Sequence, residues 1–168
     1  MNDRAPAPGP LALVEALVNS LDIESGADSL DTEDGRARFG LAPHEVEPAR
    51  ELREALRAAC LAHAGHPPHR PTTPLDDLLS AAPLLVTVDP ADGTAALRPA
   101  PPDTLTARVA AAIAVAAADG TWLRLKACEA ADCLWAYYDR SPAGRSRWCS
   151  MSVCGARAKM RAYRARRG

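Results

Sequence analysis

Four cysteines near one end constrain this chain more than any other feature. Cys128 and Cys133 are separated by four residues, fifteen residues follow, and Cys149 and Cys154 repeat the four-residue spacing. Pairs of pairs at such spacing point to one shared metal ion or to disulfides. Residues 1–10 contain no hydrophobic stretch ahead of a cleavage site, which predicts no secretory leader and a cytoplasmic location, where structural disulfides are disfavoured. A tetrahedral thiolate site is therefore expected, with one structural Zn2+ per chain, because zinc accepts four Cys S− in closed sites at about 2.3 Å. An iron–sulfur cluster also takes four thiolates, and a redox disulfide pair is a further alternative.

Residues 121–168 offer few large apolar groups, mainly Trp122, Leu123, Leu125, Leu134, Trp135, Tyr137 and Trp148, too few to hold a small unit folded unaided. Structural zinc contributes roughly 10–16 kcal/mol in finger peptides, so folding of this segment is expected to depend on the metal. Four thiolates leave no open position for water, which argues against a catalytic ion. The chain also lacks a Gly-rich phosphate loop, a G-x-S-x-G elbow and an H-E-x-x-H helix, so no enzyme is expected.

Charge divides the chain at the same place. Residues 121–168 carry eleven Lys and Arg and three acids, a net +8, which leaves −9 on residues 1–120 and −1 for the whole. An acidic body with a basic appendage suggests a polyanionic partner, against the alternative that the halves neutralise each other. The longest apolar run, residues 109–118, has ten residues and is mostly alanine, far short of the roughly 20 that span a bilayer, so no membrane partner is expected.

Periodicity ahead of the cysteines predicts a mainly helical α+β protein: a helical N-terminal domain with one β-hairpin, then a small four-cysteine zinc-binding module ending in a basic helix. Residues 1–10, rich in Pro and Ala, read as a disordered tail. Leu11, Val14, Leu17, Val18 and Leu21 follow the spacing of an amphipathic helix. Residues 22–41 read as a long acidic loop. A helix is bracketed by Pro48 and Gly65, with Leu52, Leu56 and Ala59 inward and Cys60 beside them as a small buried hydrophobe. Thr73 is placed to cap a short helix over residues 75–81. Asp92-Gly93 between apolar runs predicts a hairpin, the only sheet of the body. Asp103 is placed to cap an alanine-rich helix over residues 104–118 that Gly120 closes. His63, His66 and His69 recur every third residue, but the intervening prolines favour a polar loop over a second metal site. The domain expectation is thus residues 1–10, 11–120 and 121–168.

Around the cysteines stand Tyr137-Tyr138-Asp139-Arg140-Ser141, Arg147-Trp148-Cys149-Ser150-Met151 and Cys154-Gly155-Ala156-Arg157-Ala158-Lys159. This run resembles the CGNR zinc finger family, whose pattern has asparagine where Ala156 stands. Residues 11–19 and 52–57 resemble, more weakly, the ABATE domain that accompanies that finger. The resemblance implies a bacterial, stress-linked transcription regulator, with zinc ligation untouched by the change at Ala156.

The run after Cys154 has strong helix formers, with Arg157, Arg161 and Arg164 on one stripe and Ala158, Ala162 and Ala165 on another. The alanine stripe is expected to press on the zinc knuckles while the arginines face phosphates or a groove. The nucleic-acid-binding candidates are Arg145, Arg147, Arg157, Lys159, Arg161 and Arg164, with DNA ahead of RNA, and Arg140 as a further contributor. The competing readings are a zinc-stapled protein-interaction module without nucleic-acid binding and an enzyme or small-molecule sensor built in the helical body.

Overall fold

A computed structural model describes residues 5–100 and 103–167. Its core is three helices, α1 (Leu11–Val18), α3 (Val46–His63) and α5 (Leu105–Ala118), which pack on one another. Each buries one stripe: Leu11, Val14, Leu17 and Val18 from α1, Leu52, Leu56, Cys60 and Leu61 from α3, and Leu105, Val109, Ala112 and Ala116 from α5. Ile113 is only partly buried against this core. Burial pushes the Cys60 thiol up to about 12, so it behaves as a small hydrophobe and not as a nucleophile.

The ends of α3 and α5 are set by two glycines with φ of +81° and +68°. After α3, the His66 N–H donates to the Leu61 carbonyl (3.0 Å) and Gly65 to Ala62 (2.9 Å). After α5, Thr121 donates to Ala116 (2.8 Å) and Gly120 to Ala117 (3.2 Å). Both are the paired closing bonds of a helix whose next residue turns left-handed, a conformation that costs glycine least.

Several expectations shift. The α5 cap is Thr104, whose hydroxyl accepts from the Ala107 N–H (3.2 Å), one residue beyond the expected Asp103. The short helix α4 runs Leu75–Leu79 without a side-chain cap, because the Thr73 hydroxyl donates to Glu51 instead. Residues 22–41 are not one long loop: Asp28 caps a 3-10 turn (Ser29–Asp31) and Thr32 caps α2 (Glu33–Ala37), with Leu30 and Phe39 buried in the core. Of the expected disordered tail, residues 1–4 lie outside the described residues. Residues 5–7 are tied down, with Ala7 buried and its N–H donated to Glu15, while Arg140 donates to the Ala5 and Pro6 carbonyls. The composition suggested disorder because it does not show these backbone groups meeting distant charged side chains.

The expected hairpin forms from β1 (Leu84–Val88) and β2 (Ala95–Pro99), antiparallel, with Val86 opposite Leu97. A second antiparallel pair, β3 (Leu125–Ala127) and β4 (Ala136–Tyr138), lies beyond the composition break and packs on α3 and α1. Leu125, Ala127, Leu134, Ala136 and Tyr138 belong to the main core, so the apolar interior continues past residue 120. No described helix is long and apolar enough to cross a membrane.

Candidate metal centre and basic helix

Two turns bring the cysteines together. The first follows β3: Cys128 donates its N–H to the Trp135 carbonyl (2.9 Å), and Cys133 and Leu134 both donate to Ala130 (2.9 and 3.0 Å). Leu134 adopts φ +51°, unfavourable for a leucine, and is held there because Arg57 donates to its carbonyl (2.7 Å). The second begins at Ser150, whose hydroxyl accepts from the Val153 N–H (3.3 Å), and continues as a π-type turn, Met151–Gly155. A Cβ on Gly155 would lie 3.2 Å from Met151 Sδ and 3.4 Å from Trp148, so a larger residue there would have to push the Met151 side chain aside by a few tenths of an ångström. The Glu129 N–H donates to the Arg147 carbonyl (3.0 Å) and joins the two turns.

The result is a cluster in which the four Sγ atoms all lie within 4.8 Å of one another. Cys133 and Cys149 are 3.6 Å apart, and Cys149 and Cys154 3.7 Å. Four sulfurs at 2.3 Å from a central ion have edges of about 3.8 Å, whereas a disulfide requires about 2.05 Å. All five cysteines are free. Cys128, Cys149 and Cys154 are buried and Cys133 is half-buried. So many sulfurs cannot all ionise together unaided. Thiol donation from Cys133 and Cys149 pulls the Cys128 sulfur down to about 2, and Cys133, whose proton serves that thiolate, is pushed up to about 12. Cys149 is raised for the same reason. A dication removes that conflict by replacing the shared protons, and an all-sulfur tetrahedral donor set fits zinc. The cluster is a site for one structural Zn2+ per chain.

Between the turns, residues 139–148 are organised by a buried ion pair that sequence reasoning did not single out. Asp139 is fully buried and accepts from Lys126 Nζ (3.0 Å), the Ser141 N–H (3.0 Å) and the Ser146 N–H (2.9 Å). Burial would raise its carboxyl, but bonds from Ser141, Lys126 and Ser146 prevail and hold it well below the ordinary range. Lys126 also donates to the Gly144 carbonyl, and the Tyr137 hydroxyl to that of Ser146 (2.7 Å). The signal was Asp139-x-Ser141, the side chain bonding an amide two residues on.

Of the arginine candidates in this segment, Arg145 is exposed, whereas Arg147 grips Glu129 with two bonds and lies over the Trp148 ring at 5.6 Å. The basic helix, α6 (Ala156–Ala165), follows Cys154 directly and buries no residue. This corrects the expectation of an alanine stripe pressed on the knuckles: Ala158 is half-covered, and Ala162 and Ala165 are exposed. The helix leaves the cluster after one turn, so its later alanines have nothing to pack against. Arg157 meets Glu24 (3.1 Å) and Asp132 (3.9 Å), and Arg161 meets Asp132 (4.0 Å). Lys159 and Arg164 form no ion pair among the described residues. The histidines of residues 63–69 do not converge on a metal. His63 meets the Leu125 carbonyl (2.7 Å) and the edge of Trp122, His66 lies 3.6 Å from Glu129, and His69 lies 3.2 Å from Glu54.

The CGNR zinc finger family model matches residues 124–167, from just before β3 to just beyond α6, taking in all four sulfur ligands and the Asp139 loop. Over these residues the chain is similar to the CGNR zinc finger, and its four clustered sulfurs fit a zinc-binding module. No curated protein matches the chain significantly. Ala156, where the pattern has asparagine, is the exposed first residue of α6 and contributes no sulfur, so the departure leaves the metal site whole.

Proposed function

We propose that the chain is a cytoplasmic transcription regulator that binds DNA through the zinc-ordered finger, with the helical N-terminal domain as a sensor. The observation that carries this reading is α6: a helix rooted at a zinc ligand, with four basic residues, no acid and no buried side chain. A helix that buries nothing in its own protein is available to a partner, and its charge selects a polyanion. The +8 of residues 121–168 supplies long-range attraction that the −9 of the rest directs to one end of the chain. A sensor role for the body is supported by a cleft of about 870 Å³ lined by Arg50, Arg53, Glu54, Arg70 and Thr73, large enough for a small effector.

The test is binding of zinc-loaded full-length protein to random-sequence duplexes across 50–200 mM salt. Each neutralised phosphate contributes about −0.9 to the log–log slope, so three to five contacts give roughly −3 to −4.5. Chelation of the metal should abolish the signal. A flat salt response, together with stable capture of one protein partner, would establish the zinc-stapled interaction module instead.

A further inference from the structure

Resting on that reading, we propose that the nucleic-acid-facing side of α6 is the edge formed by Lys159, Tyr163, Arg166 and Arg167. The stripe of Arg157 and Arg161 instead fastens the helix to its own protein. At 100° per residue Lys159 and Tyr163 lie about half a turn round α6 from Arg157 and Arg161, and Arg166 and Arg167 continue their edge in the turn that ends the helix. The two sets differ in what already surrounds them.

On the first face, two arginines share two carboxylates. Arg157 is 3.1 Å from Glu24, which comes from the acidic residues after α1, and both Arg157 and Arg161 are within 4.0 Å of Asp132 in the first cysteine turn. The charges of Arg157 and Arg161 are thereby cancelled, and Arg164, a turn further along the same stripe, keeps its charge unpaired among the described residues. A phosphate brought to Arg157 would come well within a Debye length of Glu24 and Asp132, about 10 Å at 0.1 M salt, and be repelled by both. Such exposed pairs add little stability. What they do is set the direction in which a helix with no buried residue leaves the zinc cluster. The shallow groove beside this face, floored by Val153 and Met160, is lined by these same arginines.

On the second face no carboxylate competes among the described residues, and the one side-chain bond that Arg166 makes is to its own helix, from Nε to the Ala162 carbonyl (3.2 Å). Lys159, Arg166 and Arg167 are exposed, and none is in an ion pair among the described residues. Tyr163 is 49% exposed, and the Arg167 guanidinium lies over its ring at 4.9 Å. A guanidinium stacked on an aromatic ring is held in place without being neutralised, so it can meet a phosphate at lower entropic cost. The Tyr163 hydroxyl adds a donor of the kind that fixes register on a duplex backbone. The assigned partner is duplex DNA, engaged through its phosphates.

Two double variants of the full-length, zinc-loaded protein separate the faces: Lys159→Gln with Arg167→Gln, and Arg157→Gln with Arg161→Gln. Glutamine has nearly the helix preference of lysine and arginine, and none of the four is buried, so zinc content and helicity should match the parent in both. The first pair should flatten the log–log salt slope by about 1.8 and weaken binding at least tenfold at 100 mM salt. The second should leave the slope within about 0.5 of the parent. A slope change that follows the second pair, or equal changes from both, overturns the assignment of faces while leaving DNA binding intact. A parent protein with no salt-sensitive binding overturns the functional reading and this one with it.

Discussion

Asp139 shows how much one side chain decides in a segment with little core. It is the sole carboxylate facing Lys126 in the described structure and the acceptor for two backbone amides of the loop that carries Arg145 and leads to Cys149. Because the folded state holds this carboxyl below its unfolded value of about 3.9, its contribution is present in full above that pH. It fades only as pH falls through the lower folded value. A comparison at pH 7 therefore measures the whole effect while the zinc thiolates remain bound. Asp139→Asn keeps the shape but leaves the buried Lys126 ammonium without its counter-charge, a change that typically costs about 3–5 kcal/mol. Urea unfolding of the zinc-loaded variant should show that loss, and a difference under 1 kcal/mol would mean that Lys126 finds solvent.

At the scale of elements, α6 depends on the metal more than any other helix here. It has ten residues, buries none of them, and packs on the turn that bears Cys154. Helices shorter than about 12–15 residues are marginal alone in water, because the first turn is costly to nucleate. The zinc-held turn is that nucleus. Cys154→Ser, or chelation, should thus remove about ten residues of helix from the far-UV circular dichroism, while α1, α3 and α5 keep their signal through their shared core. Retention of full helicity without metal would show that α6 stands on sequence preference alone. The elements readable from sequence were those in which apolar period and end signals agree, as with Leu52 and Leu56 running to Gly65, or Leu105 and Val109 running to Gly120. The short ones were not readable. The turns and helix within residues 22–41 rest on Asp28 and Thr32 capping segments of three and five residues, too brief to show a period. The cysteine cluster was legible because thiolate spacing survives without knowledge of the fold. Which arginines were already paired was not, since Glu24 is more than a hundred residues from Arg157 in sequence.

On the scale of the whole molecule, composition and packing divide the chain differently. The charge pattern breaks at residue 120, yet body and finger are joined by buried polar bonds beyond it. The Asn19 amide pairs with both backbone groups of Ala136 (2.9 and 2.7 Å), and the fully buried Arg57 donates to the carbonyls of Val18 (2.8 Å) and Leu134. These bonds fix β4 and the left-handed turn at Leu134, and hence the relative placement of Cys128 and Cys133. The body thus prepares half of the zinc site before the ion arrives, and any energy it spends on that preparation must appear in metal affinity. Binding linkage is reciprocal: whatever loosens the join weakens zinc, and loss of zinc lowers the stability of the whole by the same coupling. Asn19→Ala leaves an N–H and a carbonyl of Ala136 without their partner, at roughly 1–3 kcal/mol for each group left unsatisfied. Part of that cost is expected to fall on the metal, so zinc competition against a chromophoric chelator should show about 5–50-fold weaker binding although no ligand has been touched. Unchanged affinity in a destabilised Asn19→Ala protein would mean that the cysteine turns organise themselves and the body is only their carrier.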